Sequence, residues 1–296
     1  MRRLFYKVIA VFIIVFIVDF AVGFASKKFN SNLPDKSCTI CLFKQSLLDK
    51  KADMLILGAS SANNHYIAQL LTDSLDMDVY NAGMGGYDII YCYLMLEAFL
   101  ERETPHYVVI DVRDALLNGS GLSRTNDLRP FYNISKSITN YYDNETSWQQ
   151  RVKMKSNLYL YNRNLAQLLG VLLTKEKTTT NGYIPLSGKM DSLSVNFNNS
   201  FKINEREYYY LQKITKICND KNIKLIISKS PQCVHNVKFD KWINRYCEQN
   251  DIVLIDEEYD NHYYKHPEWF NGLYHLNKIG ANEFTNNFLI ELRKIL

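Results

Sequence analysis

The segment Leu55-Ile56-Leu57-Gly58-Ala59-Ser60-Ser61-Ala62 reads as a buried strand that ends at a glycine, with a serine where the next helix begins. Open α/β folds form their sites at the carboxyl ends of strands, because backbone N–H groups and the dipole of the following helix converge there. A histidine that reaches the same edge makes Ser60 a candidate nucleophile. His275, far downstream, is the histidine that we expect to do so.

Strands and helices alternate along most of the chain after residue 53. The predicted strands cover 54–57, 78–80, 106–111, 223–228 and 252–255. The predicted helices cover 66–75, 89–102, 205–219, 238–249 and 280–296. This alternation predicts a parallel sheet with helices on both faces. The segment at about 116–204 interrupts the pattern, so we interpret it as an insertion that shapes one wall of the site, with one apolar helix at 165–173.

Residues 8–25 form an apolar segment that is about long enough to cross a bilayer. Basic residues lie before it, at Arg2, Arg3 and Lys7. Positive charge on the leading side predicts a cytoplasmic amino terminus and a domain outside the cytoplasm, in the bacterial periplasm or at the cell surface. The alternative is a signal peptide cleaved after Gly23-Phe24-Ala25, but the apolar core is longer than the roughly 7–15 residues usual for one. The pattern favours a retained anchor.

The predicted organisation therefore has three parts: a membrane anchor or signal peptide at 1–28, a juxtamembrane segment at 29–52 and one α/β domain at 53–296. Asp19 falls within the apolar segment. A charge in hydrocarbon is costly unless it snorkels or pairs with another group, and of these alternatives we expect Asp19 to lie near the far interface of the membrane.

Composition is that of an ordinary globular protein, with 296 residues, 47% hydrophobic and 22% charged, and a net charge of +4. No block of lysine and arginine is long enough for a nucleic-acid footprint, so we expect no nucleic-acid partner. The histidines His106, His235, His262 and His266 have no partners at metal-ligand spacing. We accordingly assign no metal and no cofactor.

The six cysteines include one close pair, Cys38-x-x-Cys41. This pair is either a local disulfide just past the membrane or two free thiols. A redox or zinc role needs a thioredoxin-like βαβ unit or a second Cys/His pair at ligand spacing, and the sequence contains neither. The other cysteines are predicted to be small core residues: Cys92, Cys218, Cys233 and Cys247.

Three separated blocks carry the residues that acyl transfer requires. The first is Gly58-Ala-Ser60-Ser-Ala-Asn-Asn-His-Tyr66, the second is Tyr80-Asn-Ala-Gly-Met-Gly-Gly86-Tyr-Asp88, and the third is Phe270-Asn-Gly-Leu-Tyr-His275-Leu-Asn-Lys-Ile-Gly-Ala281. A serine nucleophile needs a base within hydrogen-bond reach and N–H donors aimed at the developing oxyanion. Each residue also has a structural alternative: Ser60 as a helix N-cap, the glycines as turn residues and His275 as a cap of the last helix. His65-Tyr66 is interpreted as packing.

The chain resembles the SGNH (GDSL-like) hydrolase family, in particular its membrane-anchored bacterial members. The resemblance rests on Gly-x-Ser after the first strand, Asn-x-Gly-x-x-Gly after the second and His-Leu-Asn-x-x-Gly-Ala before the last helix. It implies that Ser60 is the nucleophile, that His275 is the general base, and that the N–H groups of Gly86 and Ser60 form the oxyanion hole. It also implies a three-layer, flavodoxin-like α/β fold with a five-stranded parallel sheet in the order 2-1-3-4-5.

The chain departs from the family pattern at two places. Where the family has an asparagine that donates to the oxyanion, this chain has Arg113 or Ala115. Where the family has an acidic residue three positions before the histidine, this chain has Gly272, with Asn271 beside it. Without that acid the imidazole is held less firmly, and the imidazolium loses a partner. Possible replacements are Arg113 for the oxyanion, and Asp256, Asn271 or a backbone carbonyl for the acid.

The resemblance implies a serine-dependent acyl-ester hydrolase or acyltransferase that acts on a carbohydrate of the cell envelope or surface, or on a small ester. The alternative is a catalytically degenerate relative that binds a glycan or a partner in an envelope assembly, which the altered third block and Gly272 favour. A thiol oxidoreductase built on Cys38 and Cys41 is a third, less favoured reading. The sequence leaves the oligomeric state open.

Overall fold

A computed structural model describes residues 1–31, 33, 38–119, 124–162, 181–258 and 261–296. The helices in chain order are α1 (Arg2–Ser31), α2 (Thr39–Lys44), α3 (Ser60–His65), α4 (Ala68–Leu75), α5 (Ile89–Leu100), α6 (Lys136–Glu145), α7 (Trp148–Lys153), α8 (Asn157–Tyr161), α9 (Glu205–Asp220), α10 (Val237–Gln249), α11 (Asn261–Tyr264) and α12 (Lys278–Ile295). The strands are β1 (Met54–Gly58), β2 (Val79–Asn81), β3 (Tyr107–Asp111), β4 (Asn196–Asn198), β5 (Lys224–Lys229), β6 (Val234–Asn236), β7 (Val253–Asp256), β8 (Phe270–Gly272) and β9 (His275–Leu276). Short 3₁₀ segments cover Asp114–Leu116, Arg124–Phe131 and Pro267–Trp269, and a π-helical turn covers Gln45–Asp49.

The main sheet of the described chain has five strands in the order β2-β1-β3-β5-β7, and every neighbouring pair is parallel. Renumbered within the sheet, this order is 2-1-3-4-5, so the predicted flavodoxin-like, three-layer α/β fold is confirmed. The helices α5 and α9 pack against each other and onto the sheet, while α12 packs against α3 and α4. Two smaller pairs, β4 with β6 and β8 with β9, lie outside the main sheet.

The carboxyl ends of the central strands form one row of residues. The register pairs Gly58 with Asp111 and Asp111 with Ser228. Every residue of β1 is buried, as expected for a strand covered on both faces of a sheet. Gly58 has a φ of +144°, and a Cβ there would lie 2.8 Å from the carbonyl oxygen of Asp111. Glycine is therefore required at the point where β1 turns into α3.

The predicted helix at 66–75 is shorter than expected, and an additional helix precedes it. Helix α3 ends at His65, and α4 begins only at Ala68. Between them Tyr66 is extended and fully buried, and its hydroxyl donates to Asp111 at 2.7 Å. The break lets this side chain reach the sheet edge, which the apolar spacing of the sequence did not indicate. The helix predicted at 165–173 lies outside the described residues.

The chain divides into two compact units that do not follow the linear boundaries of the sequence. One unit combines Met1–Leu48 with Thr125–Thr178, and the other combines Asp49–Arg124 with Thr179–Leu296. The second unit contains the whole main sheet. Part of the predicted insertion therefore belongs with the amino-terminal segment and not with the sheet.

In the first unit, α1 makes a polar contact with the start of α8. The carboxylate of Asp19 accepts hydrogen bonds from Ser156 Oγ (2.7 Å), from the N–H of Leu158 (2.9 Å), and from the N–H (3.1 Å) and Nδ2 (3.0 Å) of Asn157. One turn further on, a Cβ at Gly23 would lie within 2.7 Å of the Asn157 side chain. Asp19 is thus paired with protein groups. Among the described residues, Arg2–Lys28 is the one helix long and apolar enough to cross a membrane.

The structure decides between the two states that the sequence left open for the close cysteine pair. Cys38 and Cys41 form a disulfide, and both are buried in the first unit. The other cysteines, Cys92, Cys218, Cys233 and Cys247, are free and buried, which confirms them as small core residues. Burial raises the pKa of Cys233 to about 11 and that of Cys218 to about 12, so these thiols stay protonated at neutral pH.

Candidate functional site

Ser60 and His275 meet at the carboxyl edge of the main sheet. Ser60 is the first residue of α3, directly after β1, and His275 begins β9. His275 Nε2 lies 2.7 Å from Ser60 Oγ, a hydrogen-bond distance, although 215 positions separate the two residues. Neither side chain caps a helix: Ala59 is the N-cap of α3, and Asn277 caps α12 through Ile279 and Gly280.

The other ring nitrogen of His275 has no hydrogen-bond partner among the residues that the structure describes. Gly272 pairs with His275 across the β8–β9 hairpin, at the position where the family has an acid. The two candidate replacements are engaged elsewhere. Asp256 is bonded to Lys229 Nζ at 3.1 Å and accepts from the N–H of Glu258, and Asn271 donates to the carbonyl of Ser187. Within the described part of the chain, the site is therefore a Ser-His pair without a carboxylate on the imidazole.

Burial and charge hold the pKa of His275 below its usual value of 6.5. Burial is the largest cause, and the guanidinium of Arg113 lowers the pKa further, while Asp111 opposes the effect. The ring is thus neutral at pH 7, and its Nε2 is available to accept the serine proton.

Asp111 lies under the site as the centre of a buried hydrogen-bond network. Its carboxylate accepts from Ser61 Oγ, from the Tyr66 hydroxyl and from the N–H of Ser230 at 3.0 Å. Ser61, the neighbour of Ser60, is 1% exposed and committed to this carboxylate, so it is not a second candidate nucleophile. No sequence motif indicated this network, because its members come from different strands and helices.

His65 connects that network to the strand that carries His275. Its Nε2 accepts from the N–H of Leu276 at 3.0 Å, and its Nδ1 lies 2.8 Å from Ser230 Oγ. The pKa of His65 is well below 6.5, chiefly through burial and then through Arg113 and His275. The ring is therefore neutral with its proton on Nδ1, and it fixes the backbone next to His275. The interpretation of His65 as packing is incomplete.

The glycine-rich second block lies beside Ser60. Asn81 anchors it, since its Nδ2 donates to the carbonyls of Ala62 (2.7 Å) and Tyr66 (3.0 Å). A Cβ added at Gly85 would lie 3.5 Å from Ser60 Cβ, so the turn closes directly over the serine. Gly86 has a φ of +81°, a left-handed conformation that favours glycine. Its N–H, like that of Ser60, has no hydrogen-bond partner in the described part of the chain.

Arg113 follows β3, at the place of the family's asparagine. Its Nη2 donates to Ser230 Oγ (3.0 Å) and to the Ser230 carbonyl (3.3 Å). Its Nε lies 3.9 Å from Asp111 Oδ2, and the side chain is 12% exposed. Its Nε and Nη1 are buried and have no hydrogen-bond partner among the described residues. Arg113 is thus a cation beside His275 with donors to spare.

No protein-family model matches the chain, and no curated protein matches it. Three solved structures are similar to it. One is a lipolytic protein of the G-D-S-L family from Desulfitobacterium hafniense DCB-2, with a TM-score of 0.41 and 12% identity over 80% of this chain and 97% of that chain. The second is the acetyl xylan esterase AlAXEase, with a TM-score of 0.39 and 13% identity over 79% of this chain and 97% of that one. The third is an acylhydrolase from Bacteroides fragilis NCTC 9343, with a TM-score of 0.34 and 12% identity over 90% of this chain and 94% of that one.

The strand order of the main sheet is the one that the resemblance to SGNH-like hydrolases implied. Similarities with sequence identities and TM-scores this low give no information about the activity or the substrate of this chain. The fold assignment rests on the strand order and register of the main sheet.

Proposed function

We propose that this chain is a serine-dependent acyl-ester hydrolase or acyltransferase. The observation that carries the proposal is the 2.7 Å separation of Ser60 Oγ and His275 Nε2 at the carboxyl edge of the sheet. A hydroxyl at that distance from a neutral imidazole has a base within hydrogen-bond reach.

In the first half of the reaction, Ser60 Oγ attacks the acyl carbon while its proton passes to His275 Nε2. The carbonyl oxygen becomes an oxyanion, which accepts hydrogen bonds from the N–H groups of Ser60 and Gly86. Arg113 adds positive charge near this oxyanion in place of the missing asparagine. The intermediate then expels the alcohol, which takes the proton from His275, and an acyl-serine remains.

In the second half, water or an acceptor hydroxyl loses its proton to His275 and attacks the acyl carbon. Collapse of the second oxyanion breaks the bond to Ser60 Oγ, and the proton returns from His275 to the serine. Water gives hydrolysis, whereas a sugar hydroxyl gives acyl transfer. The resemblance to membrane-anchored family members favours a carbohydrate of the cell envelope or surface as the substrate.

The proposed location is the outer side of a bacterial membrane, with the amino terminus in the cytoplasm and α1 retained as a single-pass anchor. The basic residues before the apolar segment support this orientation. The contact of Asp19 with α8 supports retention, since cleavage after Ala25 would remove Asp19 and leave the start of α8 without its acceptor.

The test is the hydrolysis of 4-nitrophenyl acetate by the full-length chain in detergent. Ser60→Ala should reduce the rate to background. Ser61→Ala is the matched control, because it removes a hydroxyl one residue away that is committed to Asp111. An equal loss in both variants, or a Ser60→Ala variant as active as wild type, contradicts the proposal.

The second candidate function is a non-catalytic relative that binds a glycan or an envelope partner. The specific observation in its favour is that the described residues offer His275 Nδ1 no carboxylate, with Gly272 at the expected position. A folded wild-type chain that hydrolyses no ester and reacts with no serine-directed probe supports this candidate over the enzyme.

A further inference from the structure

Arg124 places a guanidinium over the glycine that we assign to the oxyanion hole. A Cβ added at Gly86 would lie 3.1 Å from Arg124 Nη1, 3.2 Å from its Cζ and 3.5 Å from its Nη2. The same group lies over the ring of Tyr87, with Cζ 6.0 Å from the ring centre. The side chain is exposed, so a molecule that enters from solvent can reach it.

This guanidinium is close to the candidate nucleophile. Gly85, which contacts Ser60, and Gly86, which contacts Arg124, are consecutive residues. With about 3.8 Å between neighbouring Cα atoms, the guanidinium lies at most roughly 13 Å from the Ser60 side chain. A substituent that extends from the reacting ester by up to this distance can therefore contact Arg124.

Arg124 has no carboxylate or carbonyl partner in the described part of the chain. Other arginines are committed: Arg102 and Arg151 donate to backbone carbonyls, and Arg129 donates to the carbonyl of Asn126. With no acceptor on it among the residues that the structure describes, the Arg124 guanidinium offers the planar set of donors that binds carboxylate or phosphate in a bidentate manner.

Arg113 supplies a second positive charge on the same site from below. Two of its nitrogens are buried without a hydrogen-bond partner among the described residues, and its charge lowers the pKa of both His65 and His275. Asp111 offsets part of this charge, but its carboxylate is already occupied by Ser61, Tyr66 and Ser230. Two arginines therefore act on the surroundings of Ser60: Arg113 through its charge on His275, and Arg124 through its position against Gly86.

We propose that Arg124 recognises a carboxylate or phosphate on the ester that Ser60 attacks, so that the natural substrate is anionic. The inference rests on the proposed function, because it concerns the substrate of that reaction. The binding of an anion by Arg124 can nevertheless be measured without turnover. The negative group belongs either to the acyl half or to the alcohol half of the ester, and matched probes separate these two cases.

The experiment measures dissociation constants on the Ser60→Ala background of the full chain in detergent, where turnover is removed. One probe pair is mono-4-nitrophenyl glutarate against 4-nitrophenyl valerate, which differ by a carboxylate on the acyl half. The other pair is 4-acetoxybenzoate against its methyl ester, which differ by a carboxylate on the alcohol half. We expect one anionic probe to bind more tightly than its neutral match.

Adding Arg124→Gln should weaken the favoured anionic probe about tenfold, the contribution of one charge-assisted hydrogen bond in a wet site, and leave the neutral probe unchanged. Arg124→Lys should retain part of the preference. Lys51→Gln is the control, since Lys51 is exposed and pairs with Glu103 near the opposite end of β1. If Arg124→Gln leaves both anionic probes as tightly bound as before, or if neither anionic probe exceeds its neutral match, the inference is wrong.

Failure of the proposed function has a different signature. If the proposed function is wrong, the wild-type chain does not hydrolyse the neutral esters, regardless of how the Arg124 variants bind the anionic probes. If the Ser60→Ala chain with Arg124 intact shows no preference for either anionic probe, while the wild-type chain hydrolyses the neutral esters, the inference alone is overturned.

Discussion

Gly272 lies opposite His275 in the β8–β9 hairpin, and a Cβ built on Gly272 would have no described atom within 4 Å. The described residues thus leave room for a side chain at the position where the resemblance implies an acidic residue. A carboxylate side chain introduced at Gly272 can therefore be used to supply the acceptor that the imidazole of His275 lacks among the described residues.

Gly272→Asp should increase the rate of ester hydrolysis. A carboxylate that accepts the Nδ1 proton of His275 orients the ring and stabilises the imidazolium, so we expect kcat to increase at least about tenfold. The measurement is the steady-state hydrolysis of 4-nitrophenyl acetate. Gly272→Asn is the control, since it has nearly the same size without the charge. A folded Gly272→Asp variant that hydrolyses the ester at the wild-type rate shows that the imidazole gains nothing from a carboxylate there.

The pH dependence of ester hydrolysis should depend on the charge of Arg113, because that charge lowers the pKa of His275. The base must be neutral, and its pKa lies below 6.5 because of burial and Arg113. Activity should therefore fall as the pH decreases through that lowered pKa. Arg113→Gln removes a positive charge that disfavours the imidazolium, so the pKa of His275 rises and the acid limb moves to higher pH.

This shift is measured independently of rate by following the His275 ring signals by NMR during a pH titration. Arg113→Lys retains the positive charge, so the pKa of His275 in this variant should lie closer to the wild-type value than in Arg113→Gln. An unchanged or lower pKa of His275 in Arg113→Gln contradicts the assignment of Arg113 as the neighbouring cation.

His65 should make the fold sensitive to acid. Its pKa is well below 6.5 in the folded chain, whereas in the unfolded chain it titrates near 6.5. Below about pH 6.5 the unfolded state binds a proton that the folded state does not. The free energy of unfolding should therefore decrease by up to about 1.4 kcal/mol per pH unit from this residue, until the folded pKa is reached.

His65→Gln is the informative variant, because an amide can accept from Leu276 N–H and donate to Ser230 without titrating. We expect it to be less stable at pH 7.5 and to have a flatter decrease in stability below pH 6.5. Denaturant unfolding at a series of pH values measures both effects. A variant whose stability falls with the same slope as wild type excludes His65 as the titrating group.

Asp19 should be present in the mature protein and should stabilise the first unit. Its four hydrogen bonds to the start of α8 predict that Asp19→Ala destabilises this unit by about 1–3 kcal/mol, because partly buried donors lose a charged acceptor. Limited proteolysis of the full chain in detergent should show faster cleavage within Thr125–Thr178 than in wild type. Asp73→Ala is the control, since Asp73 is an exposed residue of the other unit, hydrogen-bonded to Gln69.

Retention itself is checked by mass spectrometry of the protein purified from membranes. The account predicts an amino-terminal peptide that begins before Asp19. A mature chain that begins at Ser26 contradicts the retained anchor and makes the contact with α8 irrelevant to the working protein.

The sequence predicted the features that depend on local pattern. Apolar runs that end at glycine, alternating with helices of regular spacing, were enough to predict a parallel sheet. The order of its strands was predicted from the family resemblance. The meeting of Ser60 and His275 could also be anticipated through the resemblance, which assigns His275 as the base from the block before the last helix, although the β8–β9 hairpin that carries His275 lies outside the main sheet.

Contacts made by single residues from distant elements could not be predicted in this way. Asp111, Ser230 and His65 form one network only because β1, β3 and β5 are in register, and no spacing in the sequence encodes that meeting. The engagement of Asp256 by Lys229 is of the same kind. The hydrogen bonds of Asp19 to the start of a helix more than a hundred residues away were likewise not encoded in any local pattern.

The most direct test of the central claim is the site at which a fluorophosphonate probe attaches to the folded full-length chain. A serine that His275 deprotonates should attack the phosphorus and become covalently labelled. Peptide mapping should then place the adduct on Ser60, with labelling abolished in Ser60→Ala, strongly reduced in His275→Ala and retained in Ser61→Ala. An adduct on another residue, or no adduct on a wild-type chain shown to be folded, would contradict the account.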